Sequence, residues 1–288
     1  MTESIRLFRG PFGHVSLLKV GGNLVTHAHS EVHIVIWLAG SAGTMTVGGR
    51  SVVPERGVAI GINSFEPHNH TFADGEIPGQ FLAFYIDWDW LASRRGLRAG
   101  TQAFLEPMIE LETWLVEAAQ FLPDRLGDGD DEFAAYELER FIDHVMDAAD
   151  AARPKDAAAQ MIRGGRDFRI RKALALMEAN VGERICFDDV ARSVGLSRPH
   201  FFALFKEQMS VTPNVYWNTL RITEAMRCLQ SSDESMISVA CNLGFTTQGN
   251  FSRFFREHTG VPPTVYRSAS NEGRFVIAAS EGGAELCR

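Results

Sequence analysis

The chain has 288 residues, enough for two domains, and 45% of them are hydrophobic, ample for packed cores. No apolar run reaches the length of a membrane span, and the N-terminus lacks a basic region followed by an apolar core, so a cytoplasmic protein is expected, with no signal peptide and no membrane partner. The formal charge of −8 argues against nucleic acid only until the chain is divided: residues 163–274 hold 15 Lys/Arg and 11 Asp/Glu, a net of +4, and the remainder holds 13 and 25, a net of −12. A phosphate-binding surface therefore belongs in the C-terminal third.

In chain order, residues up to about Asp87 read as strands. Short alternating or β-branched runs (His14–Val20, His33–Leu38, Thr44–Val47, Val58–Ile62, Phe81–Ile86) are broken by glycines and polar turns, and Gly48-Gly49 is a hairpin signal. Such a pattern predicts a small β-sandwich or jelly roll. Gly22 is followed by His27, His29 and His33, then Gly40, with Gly57 and Pro67-His68 further on. This resembles the first cupin motif and, loosely, the second; His33 stands where the motif has Glu, which tells against a metal-dependent cupin enzyme. Read as one strand, His27, His29 and His33 would share a face. With His68 they offer four imidazoles of a kind that suits zinc, iron or copper. The preferred expectation is that they line the mouth of an effector pocket and hydrogen-bond a ligand or one another, with no metal and no other cofactor. Ile34, Ile36, Trp37, Ile60, Phe65, Phe81 and Phe84 are candidate apolar lining, and Glu31, Glu66 and Asn63 candidate orienting groups.

Arg94-Arg95-Gly96-Leu97-Arg98 is the densest basic cluster of the acidic half. It reads as a solvated turn or as an anion site; Arg94 and Arg98 also have the spacing of cyclic-dinucleotide receptors of the PilZ type. Apolar periodicity predicts helices over 104–122 and 133–152, a pair that can pack on the β-domain, dimerise, or both. Pro123–Asp131 reads as a loop between them, and Pro154 with Gly164-Gly165 marks a linker. Phe168–Asn180 is a further helix. The four cysteines, Cys186, Cys228, Cys241 and Cys287, lack metal-ligand spacing, and the first three are expected as reduced core thiols.

Two related segments then follow. The first runs from Phe187 through Ala191, Gly195, Ser197, Phe201, Phe205 and Lys206 to Pro213 and Tyr216. The second runs from Met236 through Ala240, Gly244, Thr247, Phe251, Phe255 and Arg256 to Pro263 and Tyr266, at an offset of 49 and then 50. Each has a short apolar helix with a buried Ala, a Gly where the chain turns with φ > 0, a Ser or Thr as N-cap, and a second helix with apolar residues three and four apart. Val215–Leu229 makes a long, largely buried spacer helix between them. Asp188 and Asp189 fall in a first helical turn, where carboxylates offset the helix dipole. After Ser268 a loose tail is expected.

Gly244-Phe245, Asn250–Arg256, Gly260, Pro262-Pro263 and Tyr266-Arg267 resemble the C-terminal signature of the AraC/XylS family of transcription regulators. The resemblance covers about a third of the chain. It implies an α+β protein of two domains, in which a cupin-like β-barrel with a helical dimerisation pair precedes an all-α domain of two helix-turn-helix units joined by a long helix. The expected bounds are 1–100 for the β-domain, 101–153 for the helical pair, 154–166 for the linker, 167–270 for the DNA-binding domain and 271–288 for the tail. The implied function is a ligand-responsive, sequence-specific regulator with activator character and no enzymatic activity. Its expected partners are double-stranded DNA in the major groove, a small-molecule effector, a second copy of the chain and RNA polymerase. Metal-dependent cupin chemistry, and cyclic-dinucleotide sensing through Arg94 and Arg98, stand as alternatives.

By the same resemblance Gln248, Gly249 and Arg253 fall where family members contact bases. Gln and Asn suit adenine and Arg suits guanine, which makes Gln248, Asn250 and Arg253 the expected readers; Thr247 and Arg256 are expected on phosphates. The first unit departs from the pattern. Pro199, Phe202 and Ala203 occupy its reading positions, leaving Arg198 and His200 as polar candidates, Phe202 for a thymine methyl, and Lys206 as the counterpart of Arg256. The expected effector-binding set is His27, His29, His33, Trp37, His68, Glu31, Arg94 and Arg98.

Overall fold

Ten strands and ten helices form in the computed structural model, which describes residues 4–73, 77–98, 101–125, 131–151 and 167–272. The strands are β1 (Ser4–Gly10), β2 (Gly13–Val20), β3 (Leu24–His27), β4 (Val32–Ala39), β5 (Thr44–Val47), β6 (Arg50–Val52), β7 (Val58–Ile62), β8 (His68–Thr71), β9 (Gly79–Ile86) and β10 (Met108–Glu110). Helix α1 (Trp88–Arg95) precedes β10, and α2 (Thr113–Arg125) and α3 (Asp131–Ala151) follow it. The remaining helices are α4 (Phe168–Ala179), α5 (Phe187–Ser193), α6 (Arg198–Met209), α7 (Pro213–Ser231), α8 (Met236–Asn242), α9 (Gln248–Thr259) and α10 (Pro263–Glu272).

The strands form two antiparallel sheets, one of six in the order β1-β2-β9-β4-β7-β10 and one of four in the order β3-β8-β5-β6. Among the described residues no ladder joins the two, so the expected barrel is an open pair of sheets. The hairpin expected at Gly48-Gly49 joins β5 to β6 in the register Val47↔Arg50, and both glycines take positive φ, as a two-residue turn requires.

The central strands are buried on both faces, and their alternation sorts side chains between two cores. Val32, Ile34, Ile36, Leu82, Phe84 and Ile86 face α2 and α3; Val35, Ile60, Phe81, Ala83 and Tyr85 face the four-stranded sheet. This corrects part of the expected pocket lining: Ile34, Ile36 and Phe84 point to the helical layer, away from the space between the sheets. Phe65 lies further off, stacked on Tyr216 of α7 with ring centroids 5.3 Å apart.

The helix expected over 104–122 begins only at Thr113. Met108–Glu110 instead pairs with β7 (Ile109↔Ala59) and covers an edge whose backbone groups would otherwise lack partners. Pro123 lies inside α2, in its last turn, where a loop was expected. The cysteines depart from expectation as well. Cys186 and Cys241 are exposed and Cys228 is half-buried, because these helices turn other residues inward; Cys287 lies outside the described residues. So do residues 152–166, which hold the expected linker, and 273–288, which hold all but the start of the expected tail.

Candidate nucleic-acid interface and a histidine cavity at the domain boundary

Each helix-turn-helix unit pairs a seven-residue helix with a twelve-residue one, α5 with α6 and α8 with α9. Gly195 and Gly244 turn the chain at φ 74° and 72°, a conformation that favours glycine. Thr247 caps α9 by accepting from the Asn250 amide at 3.1 Å. Ser197 occupies the same place before α6 and makes no side-chain cap bond; Pro199 in the first turn removes one amide that would need a partner. Phe201, Phe205, Phe251 and Phe255 are fully buried, each contributing about 2 kcal/mol of burial. That burial orients the opposite faces outward.

On α9 the outward face carries Gln248, Asn250, Arg253 and Arg256, all exposed. Arg253 donates to Asn250 Oδ1 at 3.3 Å, which holds the two side chains side by side. On α6, Arg198, His200 and Lys206 are exposed. Arg198 donates to Asp188 at 3.0 Å and lies over the half-buried Phe202 ring, 5.4 Å from its centroid. Phe202 also packs edge-on against Phe187 and Phe201, so its ring serves the core of the first unit. Arg221 on α7 went unnoticed in the sequence. Its guanidinium lies 3.7 Å from the Phe245 centroid and donates to Leu243 O, bracing the turn before α9; burial lowers its pKa to about 10.

The helical domain sits directly on the β-domain. Ala28 is buried in the core of the first helix-turn-helix unit and Leu7 in that of the second. The Thr219 hydroxyl of α7 reaches the carbonyl oxygens of Ala28 and Val215, each at 3.0 Å. Gly260, the left-handed C-cap of α9, packs against Val20 and Leu24. The C-terminal end of the second recognition helix thus rests on β2 and β3.

A cavity of about 40 Å³ opens at this boundary, lined by His27, His33, His68, His70, Tyr85 and His258 among others. The sequence suggested a shared strand for the first histidines. In the fold they come from three places: His27 ends β3, His29 lies in the turn after it, and His33 lies on β4, while β8 brings His68 and His70 across. Ring centroids are 4.3 Å apart for His27 and His68, 4.9 Å for His27 and His29, 5.1 Å for His29 and His68, and 6.0 Å for His27 and His258. Among the described residues, His27, His29 and His68 form a group whose ring nitrogens, one from each, lie within 4.8 Å of one another.

Hydrogen bonds assign the tautomers. The Nδ1 atoms of His27, His33, His68 and His258 lie 2.6, 2.8, 2.9 and 2.7 Å from the carbonyl oxygens of Val25, Phe84, Glu66 and Phe254. A carbonyl only accepts, so Nδ1 carries the proton and Nε2 presents a lone pair. Nε2 of His68 and of His258 is buried without a hydrogen-bond partner. His70 has the opposite arrangement, with Nε2 2.7 Å from Ala42 O. Burial, reinforced by neighbouring imidazoles, pushes His33 and His68 down to about 3, and lowers His27 and His29 well below 6.5. Burial also takes His70 to about 4 and lowers His258. The cluster is therefore uncharged at neutral pH.

Other sequence candidates are engaged elsewhere. Trp37 packs beside the inter-sheet core, outside the cavity lining. Glu31 accepts from Ser30 at 2.9 Å. Asn63 and Glu66 bond to each other, and Asn63 holds the backbone of Phe104. Arg94 donates to Asp143 and Glu139 and lies over Trp90, and Arg95 reaches Asp147 and Asp150; the basic cluster clasps α1 to the acidic face of α3. Arg98 is exposed and is not among the residues that line the histidine cavity. His70, Tyr85 and His258 were not picked out from the sequence. The alternation His68-Asn69-His70 was a signal for the first; nothing local pointed to His258.

Residues 190–269 match the family model described as a helix-turn-helix domain. The HTH-type transcriptional regulator GbdR of Pseudomonas aeruginosa is 34% identical over 109 residues, 38% of this chain and 30% of its own length. Regulatory protein PocR of Salmonella typhimurium is 36% identical over 106 residues, 37% of this chain and 35% of its own. The chain thus spans about a third of the length of these curated relatives. A solved transcriptional regulator of the AraC-type DNA-binding class from Chromobacterium violaceum is 30% identical, covering 40% of this chain and 96% of that one at a TM-score of 0.34. An apo form of ToxT from Vibrio cholerae shares the fold over 92% of this chain and 99% of its own, at a TM-score of 0.58 and 11% identity.

Proposed function

This chain belongs to the AraC-type transcriptional regulators through its C-terminal helix-turn-helix domain, and from that premise we propose that it is a sequence-specific regulator controlled by a ligand of its β-domain. The observation that carries the reading is the doubled unit: two recognition helices face outward, within the segment 163–274 whose net charge is +4. A rigid α7 suits placing α6 and α9 in successive major-groove segments, about 34 Å apart on one face of the duplex. Gln248, Asn250 and Arg253 then read base edges, Thr247, Lys206 and Arg256 hold phosphates, and the first unit contributes Arg198, His200 and shape.

Residues 1–100 are read as a cupin-like sensing domain and 101–153 as its dimerisation pair, joined through 154–166 to the DNA-binding domain at 167–270, with 271–288 as a tail. Exposed Trp114, Phe121, Phe133 and Tyr136 on α2 and α3 support self-association. The β-domain is read as a sensor, without catalysis, because its histidines are neutral, mutually packed and shared with α9. No helix among the described residues is long and apolar enough to cross a membrane. By its likeness to AraC-type regulators the chain is read as a cytoplasmic activator that works with RNA polymerase. An effector shifts such a protein only by binding one arrangement of the two domains better than another.

The test is selection of bound sequences from a randomised duplex pool by the full chain. A bipartite motif with halves one helical turn apart is expected. Arg253→Ala should cost about 1–3 kcal/mol of discrimination in one half, and Phe202→Ala should leave that half intact. Binding without sequence preference, or discrimination that survives Arg253→Ala and disappears with Phe202→Ala, would overturn the reading.

A further inference from the structure

The histidine cavity has the wrong size for a typical organic effector in this arrangement of the domains. At about 40 Å³ it holds a few waters or an ion, whereas sites for drug-sized molecules run to roughly 300–1,000 Å³. Its chemistry is equally narrow. His27 and His68 of its lining, with His29 from the loop after β3, already bring a ring nitrogen each within 4.8 Å of one another. Zinc binds imidazole nitrogen at about 2.0–2.1 Å, which puts tetrahedral ligand nitrogens about 3.3 Å apart and their ring centroids about 5 Å apart. Centroid separations of 4.3, 4.9 and 5.1 Å within the trio lie close to that value or below it.

The fourth donor comes from the other domain. His258, on the last turn of α9, lines the same cavity with its ring 6.0 Å from that of His27. His27, His68 and His258 each give Nδ1–H to a backbone carbonyl. This is the outer-shell bond that fixes a metal-ligating imidazole in the tautomer with Nε2 free. Two of those Nε2 atoms, on His68 and His258, are buried with no partner, and a buried acceptor left unpaired costs free energy that a cation would recover. His33 lines the same cavity, with its ring 4.3 Å from that of Tyr85 on β9.

We propose that His27, His29, His68 and His258 together bind one zinc-class divalent cation, and that this ion clamps the second recognition helix to the β-domain. The inference rests on the reading of the β-domain as the sensing half and names its ligand: a borderline cation with a preference for imidazole nitrogen. The docked arrangement presents all four imidazoles and the undocked one only three. The ion therefore favours docking and restrains the α9 that must enter the groove.

The experiment uses the full chain, stripped with a chelator and titrated with zinc chloride by calorimetry, with cobalt(II) chloride as a spectroscopic reporter of tetrahedral nitrogen ligation. One equivalent binds. His68→Ala and His29→Ala each weaken binding by about 100-fold or more, and His258→Gln by about 10-fold. Zinc slows amide hydrogen exchange over 256–260 in the wild type and leaves it unchanged in His258→Gln. Absence of saturable binding, or binding that His68→Ala and His29→Ala both leave intact, overturns the site. Binding without slowed exchange at the end of α9 overturns the clamp and assigns the fourth position within the β-domain. Each variant is also measured, metal-free, against a randomised duplex pool, and wild-type affinity there certifies its folding. A chain that binds zinc as described but no DNA sinks the regulator reading and leaves the metal site standing.

Discussion

Gly260 offers a direct measure of how tightly the two domains are packed. It caps α9 at φ 79°, and its amide donates to Arg256 O at 2.8 Å. A Cβ added there would stand 2.8 Å from Val20 Cγ1 and 3.4 Å from Leu24 Cδ2, across the domain boundary. Gly260→Ala therefore has two separable costs. Left-handed backbone costs an alanine about 1 kcal/mol whatever surrounds it. Crowding of the buried Val20 adds about 2 kcal/mol, in the usual range for an overfilled core. The single substitution should lower unfolding stability by about 3 kcal/mol, the sum of the two. In a Val20→Ala background the obstructing methyl is gone, and the same substitution should cost only about 1 kcal/mol. Equilibrium urea unfolding, followed by tryptophan fluorescence and by circular dichroism, measures all four corners of the cycle. A coupling of about 2 kcal/mol, in the range found for residues in contact, shows that the docked boundary is the folded state in solution. Effects that add to within about 0.5 kcal/mol, as those of distant sites do, would refute it, because Gly260 and Val20 would then not meet.

Three other outcomes are expected. His14 and His33 are both held at about 3 in the folded chain, mainly by burial, against 6.5 ordinarily. Their folded-state values are depressed, so the stability they contribute is complete above pH 6.5 and is lost as pH falls from there toward 3. Between pH 7.5 and 5.5 the metal-free protein should lose about 1 kcal/mol for each, visible as a falling melting temperature and weakened in His14→Phe. Thr219→Val leaves the buried Ala28 carbonyl without its donor and should cost about 1–3 kcal/mol, detected as faster amide exchange where α7 meets β3; unchanged exchange would show that the bond contributes nothing to docking. Phe121→Ser with Tyr136→Ser, on the exposed faces of α2 and α3, should shift sedimentation from dimer to monomer at unchanged melting temperature.

The sequence alone determined the parts whose causes are local. A Gly at φ 74° or 72°, a Thr that caps its own helix and phenylalanines three and four apart are all specified by near neighbours in the chain, so both helix-turn-helix units were legible. The Gly48-Gly49 hairpin belongs to the same class. Charge division pointed to the same third of the chain, where the helix-turn-helix domain lies. Tertiary structure decided whatever depended on pairing between distant segments. Leu105, Met108 and Ile109 fit a helical stripe, but the open edge of β7 drew Met108–Glu110 into a strand. Arg94 and Arg98 have the spacing of an anion site, but the acidic face of α3, far along the chain, engages the first. The histidines show the division most clearly. The sequence supplied His27, His29, His33 and His68 as a set. Only the fold separated the first three, expected on one strand face, onto β3, a loop and β4 and packed them against His68, and only domain docking brought in His258, because a side chain from the opposite end of the sequence meets them through packing that no local pattern encodes.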